Sequence, residues 1–169
     1  VQVTPAACVV CHGAHGISQA PGVPSLAGEP DQFLEWQMVL FRSGARDNPL
    51  MSPVAQKLSD DDIHALGQYF SGLKLPSPPA GKLDPDLMAA GVAVVQKYNC
   101  ASCHGSNFAG KGEAARLASQ REDYIAKALQ DFKSGARRGT GAAGAMSSVG
   151  FGMTKPEIKA AAYYLSHHP

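Results

Sequence analysis

Cys8-Val9-Val10-Cys11-His12-Gly13 recurs as Cys100-Ala101-Ser102-Cys103-His104-Gly105 in a chain of 169 residues. The repetition reaches well beyond the hexamers. Phe41-Arg42-Ser43-Gly44-Ala45-Arg46 returns as Phe132-Lys133-Ser134-Gly135-Ala136-Arg137, and Met51-Ser52-Pro53-Val54 as Met146-Ser147-Ser148-Val149. Ile63 follows Met51 at the interval by which Ile158 follows Met146. Four elements repeated in one order mark a duplicated unit. Between the copies runs Leu73-Lys74-Leu75-Pro76-Ser77-Pro78-Pro79-Ala80-Gly81-Lys82, whose prolines favour an extended, semi-rigid connector. The boundary is placed there, giving units 1–79 and 80–169.

The pattern inside each unit is helical. Leu34, Met38 and Phe41, echoed by Ile125, Leu129 and Phe132, recur at helical spacing. Pro30 at a first helical position and Gly44 beyond the end predict a helix over 30–43, copied over 121–134. Ser59 with Asp62 opens a helix over about 60–70, and Thr154 with Glu157 caps the last one, about 155–167. Asp84-Pro85 opens a helix that runs into Cys100. No segment alternates with period two over a useful length, so strands are not expected and the fold class is all-α. Only seven residues precede Cys8, so the N-terminal helix of the first unit is short or absent.

Cys-x-x-Cys-His is the attachment signature of c-type haem. Two thiols add to the two vinyl groups, and the spacing puts both sulfurs under one porphyrin edge. The next residue, His12 or His104, then reaches the iron. All four cysteines, Cys8, Cys11, Cys100 and Cys103, are consumed by the two motifs. A zinc site would place its Cys pairs about 12–20 residues apart, far closer than these. A thioredoxin-like dithiol needs a βαβ context that the pattern lacks. Aromatic residues make up only 7% of the chain, so each unit has a thin core that a large apolar group would complete.

A sixth iron ligand is sought in each unit. Met51 lies 39 residues after His12, in a loop marked by Asn48-Pro49, and Met146 lies 42 residues after His104 in the matching place. Met38 and Met88 fall on helices and read as core filler. Met153 competes with Met146 by distance, but counting back from the last helix aligns it with Leu58, a packing position. The longer second loop, Gly139-Thr140-Gly141-Ala142-Ala143-Gly144, has the freedom to absorb the extra residues. Thioether with imidazole ligation raises the reduction potential and suits outer-sphere electron transfer. The remaining histidines, His15, His64, His167 and His168, read as solvated or without a counterpart.

Net charge is +1 with neutral histidines, which excludes a strongly basic nucleic-acid face, and haem propionates would shift the balance toward acid. No stretch approaches the roughly 20 apolar residues of a membrane span, which leaves loose membrane association open. Val1 stands so near the first cysteine that the chain reads as processed, its signal peptide removed, or trimmed.

Both units resemble class I cytochrome c domains, and the tandem is similar to the dihaem cytochrome c4 family. The resemblance rests on both haem hexamers, on Pro24-Ser25-Leu26-Ala27-Gly28, on the Phe-x-x-Gly-x-Arg segments, and on the Met segments leading into Gln68-Tyr69-Phe70 and Tyr163-Tyr164-Leu165. It implies two domains, each wrapped around one covalent haem c, with haem edges near their interface. It also implies a periplasmic electron carrier serving a terminal oxidase or, as a subunit, a dehydrogenase. In that family a carbonyl of the first loop accepts the proton of the proximal His. Ala115 stands where Pro24 does, which does not forbid the bond. A dihaem peroxidase or thiosulfate-oxidising enzyme would need an open iron or an unusual ligand, and a gas sensor an exchangeable one. Here every Cys is in a motif and each unit offers a Met.

Overall fold

The duplication becomes two helical units. The computed structural model describes residues 4–138 and 144–169. The first unit holds α1 (Pro5–His12), a 3-10 turn (Ala14–Gly16), α2 (Asp31–Ser43), α3 (Met51–Ala55) and α4 (Asp60–Ser71). The second holds α5 (Pro85–Lys97), α6 (Ala101–His104), α7 (Glu122–Ser134), α8 (Gly144–Gly152) and α9 (Lys155–Ser166). Among the described residues there is no strand, only an isolated bridge between Lys111 and Ala114.

Local chemistry sets the boundaries. Ser59 with Asp62, and Thr154 with Glu157, form reciprocal capping boxes that satisfy amides a helix start leaves unbonded. Asp84 Oδ1 accepts from the amides of Asp86 and Leu87, with Pro85 at the first position. Gly44 and Gly135 end α2 and α7 in the left-handed region, at φ 78 and 77, where glycine carries no β-carbon penalty.

Several boundaries differ from those the pattern predicts. Pro30 and Arg121 are caps in extended conformation, so α2 and α7 start one residue later. α5 does not reach Cys100; Asn99, at φ 51, breaks it, and α6 starts anew. Neither methionine lies in a loop. Met51 is the first residue of α3, because Asn48 Oδ1 accepts the amides of Leu50 and Met51 and so starts a helix. Met146 lies within α8, whose Gly150 backs directly onto Phe132 of α7. There packing overrides the low helix propensity of a Gly- and Ser-rich stretch. Of the glycine-rich loop, residues 139–143 lie outside the described residues, and Gly144 opens α8.

α2 packs on α4 as α7 packs on α9. The second unit adds α5 along α9, where a β-carbon on Gly91 would collide with Tyr164 and the Ala160 carbonyl. Among the described residues the first unit has no counterpart of α5; the eight-residue α1 itself carries the first haem motif. Its buried cluster is Leu58, Ile63, Leu66 and Phe70, against twelve residues in the second unit. With Ala27, Leu40, Phe41 and Ala55, buried outside that cluster, the total is still small for a unit of about 80 residues.

Two outcomes test this packing. Gly91→Val should destabilise the holoprotein by about 1–3 kcal/mol, since overpacking at a close helix crossing has no slack to absorb it; chemical denaturation measures it. Glu157 ties the two helices together, bonded to Lys97 Nζ at 2.6 Å, to the Thr154 amide and to the Tyr98 hydroxyl. The Lys97 bond first, then the Thr154 amide, hold its carboxyl down to about 2 from 4.5. A carboxyl depressed in this way stabilises above its unfolded value and stops doing so as pH falls through the folded one. Glu157→Gln should therefore lower the melting temperature near neutral pH, with the difference from wild type shrinking between about 4.5 and about 2.

Candidate haem sites

His12 is the last residue of α1 and His104 the last of α6. Each is followed by a glycine with positive φ, Gly13 at 83 and Gly105 at 85. A β-carbon on Gly13 would run into the Ile17 carbonyl oxygen, so the turn that releases the histidine from its helix needs glycine there. His12 Nδ1 lies 2.8 Å from the Pro24 carbonyl and His104 Nδ1 lies 2.7 Å from the Ala115 carbonyl. A carbonyl only accepts, so both Nδ1 atoms carry the proton and each Nε2 is the nitrogen with a free lone pair. The loss of proline at position 115 does not cost the second unit this bond. Both rings are buried, and burial pushes each imidazole below its ordinary range against the opposing pull of its carbonyl. Neutral, oriented rings are what a metal requires.

The four cysteines precede these histidines on the same short helices or at their caps. Cys8 and Cys100 are half-buried and Cys11 and Cys103 exposed, and none of the four is joined in a disulfide. Among the described residues no three His, Cys, Asp or Glu side chains converge, and the two Cys pairs belong to different units. That is the reverse of a zinc site built from four cysteines.

The residues fit a haem in two respects. An apolar macrocycle would supply the core that the first unit lacks. A haem also brings carboxylates, and the structure has a buried cation with hydrogen-bonding capacity to spare. Arg116, whose side chain is 1% exposed, donates through Nη1 to the Ala118 carbonyl; its Nη2 pairs with Glu29 Oε1 at 3.8 Å, and neither Nε nor Nη2 makes a hydrogen bond. Arg46 and Arg137 stand over the Phe41 and Phe132 rings at 4.4 and 4.6 Å and share Gln37 Oε1 across the two units.

The comparisons with known proteins agree with this chemistry. A cytochrome c family model matches residues 88–169. The thiosulfate dehydrogenase electron acceptor of Thiomonas intermedia is 36% identical, covering 97% of this chain and 79% of that protein. Cytochrome c4 of Pseudomonas aeruginosa is 32% identical, over 97% of this chain and 85% of its own. The solved cytochrome c4 of Acidithiobacillus ferrooxidans superposes with a TM-score of 0.86 at 32% identity, over 97% and 99% of the two chains. The chain belongs to the cytochrome c4 family. It is a dihaem electron-transfer cytochrome with two covalent haem c groups, one in each of two tandem helical domains.

Seen as a cytochrome c4, the methionines separate. Met153 is 2% exposed within the core of the second domain, where Leu58, 5% exposed, sits in the first. Met51 and Met146 are half-buried. His64 is exposed and bonds Glu35 at 2.9 Å; His15 is exposed at φ 57. His167 and His168 are not solvated as their terminal position suggests. His168 packs its ring on Phe108 at 5.1 Å and its carbonyl accepts from Ser119, while the His167 ring lies on Tyr163 at 4.3 Å; both are half-buried.

Sequence reasoning missed the junction between the domains. Glu29 and Gln120, both within 3% of full burial, meet there with Ser25 and Arg116. A signal existed: both polar residues follow the repeated Leu-Ala pair, Leu26-Ala27 and Leu117-Ala118, at the same distance.

The intact mass after acid–acetone extraction of free haem should exceed that of the polypeptide by two haems. Cys11→Ala or Cys103→Ala should leave its own domain unable to fold, since the haem completes that core; the loss is read by circular dichroism and by the mass increment of the survivor.

Proposed function

We propose that His12 with Met51, and His104 with Met146, are the axial pairs of the two irons, within domains 1–79 and 80–169. On this reading the chain shuttles electrons in the periplasm between a donor and a terminal oxidase or dehydrogenase partner. The bound haem supplies a reversible one-electron change at iron. The chain holds that iron in one geometry in both redox states. The carbonyls of Pro24 and Ala115 fix the tautomer and rotation of each imidazole. The short helices α3 and α8 carry the two methionines. A methionine thioether as ligand would raise the potential and leave no position open, which suits transfer without bond making. The observation that carries this reading is the duplicated histidine–carbonyl bond in a chain with one repeated methionine per domain. A relative that is named an electron acceptor for thiosulfate dehydrogenase supports a dehydrogenase as one partner.

Replacing each methionine by leucine tests the ligand set. Met146→Leu should abolish the near-infrared sulfur-to-iron charge-transfer band of one haem and lower its potential. Met153→Leu should leave both haems unchanged and cost less than about 1.5 kcal/mol of stability as a volume-conserving swap. The reverse result would reassign the ligand. The reduced wild type should hardly respond to carbon monoxide, because neither iron has an open position.

A further inference from the structure

The Pro24 carbonyl that holds His12 and the amide of Ser25 belong to one peptide group. So do the Ala115 carbonyl that holds His104 and the amide of Arg116. In each case the far end of that peptide is bonded to a side chain of the other domain. The Ser25 amide donates to Gln120 Oε1 at 2.9 Å, and the Arg116 amide donates to Glu29 Oε2 at 2.8 Å. Gln120 Nε2 in turn donates to Glu29 Oε1 at 3.2 Å and to the Ser25 carbonyl at 2.9 Å. A continuous hydrogen-bonded line therefore runs from His12 through peptide 24–25, Gln120, Glu29 and peptide 115–116 to His104.

The line is symmetric in position and asymmetric in charge. Glu29 and Gln120 occupy equivalent places in the repeat, as do Ser25 and Arg116. One end meets a neutral amide and the other a carboxylate. An anionic acceptor on a peptide N–H polarises the whole peptide and makes its carbonyl a stronger acceptor in turn. A stronger acceptor at Nδ1 gives the imidazole more imidazolate character, which favours ferric iron.

We propose that Glu29 is a positioning residue for the second haem: acting through peptide 115–116 and His104, it holds that haem at a lower potential than an amide would, and so sets the two haems apart. This rests on the reading of His12 and His104 as iron ligands. Large hyperfine shifts of both imidazoles in the oxidised protein test that reading separately. Burial holds the Glu29 carboxyl up at about 7, against the opposing pull of Arg116, so the measurements belong at mildly alkaline pH.

The test compares wild-type holoprotein with Glu29→Gln and with the exchanged pair Glu29→Gln/Gln120→Glu. Two quantities are read: the Nδ1–H resonances of His12 and His104 in the reduced, diamagnetic state, and haem-resolved potentials. Glu29→Gln should move the His104 Nδ1–H resonance upfield and raise the second haem's potential, with His12 unmoved and the first haem shifted less. The exchanged pair, which keeps the buried charge, should lower the first haem's potential and move the His12 resonance downfield. Equal shifts of both potentials with both Nδ1–H resonances unmoved would show a through-space charge effect and overturn the proposal. Unchanged potentials would overturn it equally. If Glu29→Gln does not take up haem, the exchanged pair alone decides by the same two readouts.

Discussion

Each domain is organised around one hydrogen bond, from a histidine Nδ1 to a backbone carbonyl about a dozen residues later. It requires the histidine to leave its helix at once, which a left-handed glycine permits. It requires the following loop to return to the ring, and α2 or α7 then to start behind that loop. The helix packing that follows serves to hold the loop still. On the proposed ligation, an imidazole free to rotate would let the iron change its coordination between redox states, and the reorganisation would slow electron transfer.

Much of this was legible beforehand. The capping boxes at Ser59 and Thr154, the glycines at 44 and 135 and the helical spacing of Leu34, Met38 and Phe41 placed α2, α4, α7 and α9 to within a residue or two. Their signals are local, so local reasoning suffices. The haem motifs were legible because covalent attachment demands a fixed spacing. The helices carrying Met51 and Met146 were misread as loops, because what makes them helical is an asparagine side chain in one case and contact with α7 in the other. The burial of His168 depends on Phe108 and Ser119, far away along the chain.

The domain junction was invisible for a deeper reason. Its residues look like ordinary loop polars, and nothing local says that Glu29 and Gln120 will meet. Their burial is justified only by mutual hydrogen bonding, since an isolated carboxylate or guanidinium in such a place would be strongly unfavourable. Arg46 and Arg137 were visible as a repeat, yet their convergence on Gln37, and the bond from Arg46 to Tyr124, emerge only once both domains are in place.

Among the described residues the two copies do not hold equal shares of the scaffold. The second has α5 laid along α9 and a twelve-residue buried cluster; the first has an eight-residue α1 and a buried cluster of four. For the first domain, the wall contributed by Ser25, Glu29, Gln120 and Arg116 is thus part of its own interior and not a surface where finished bodies touch. Duplication here produced two copies that share one buried polar seam, so a change on either side of it is felt by both.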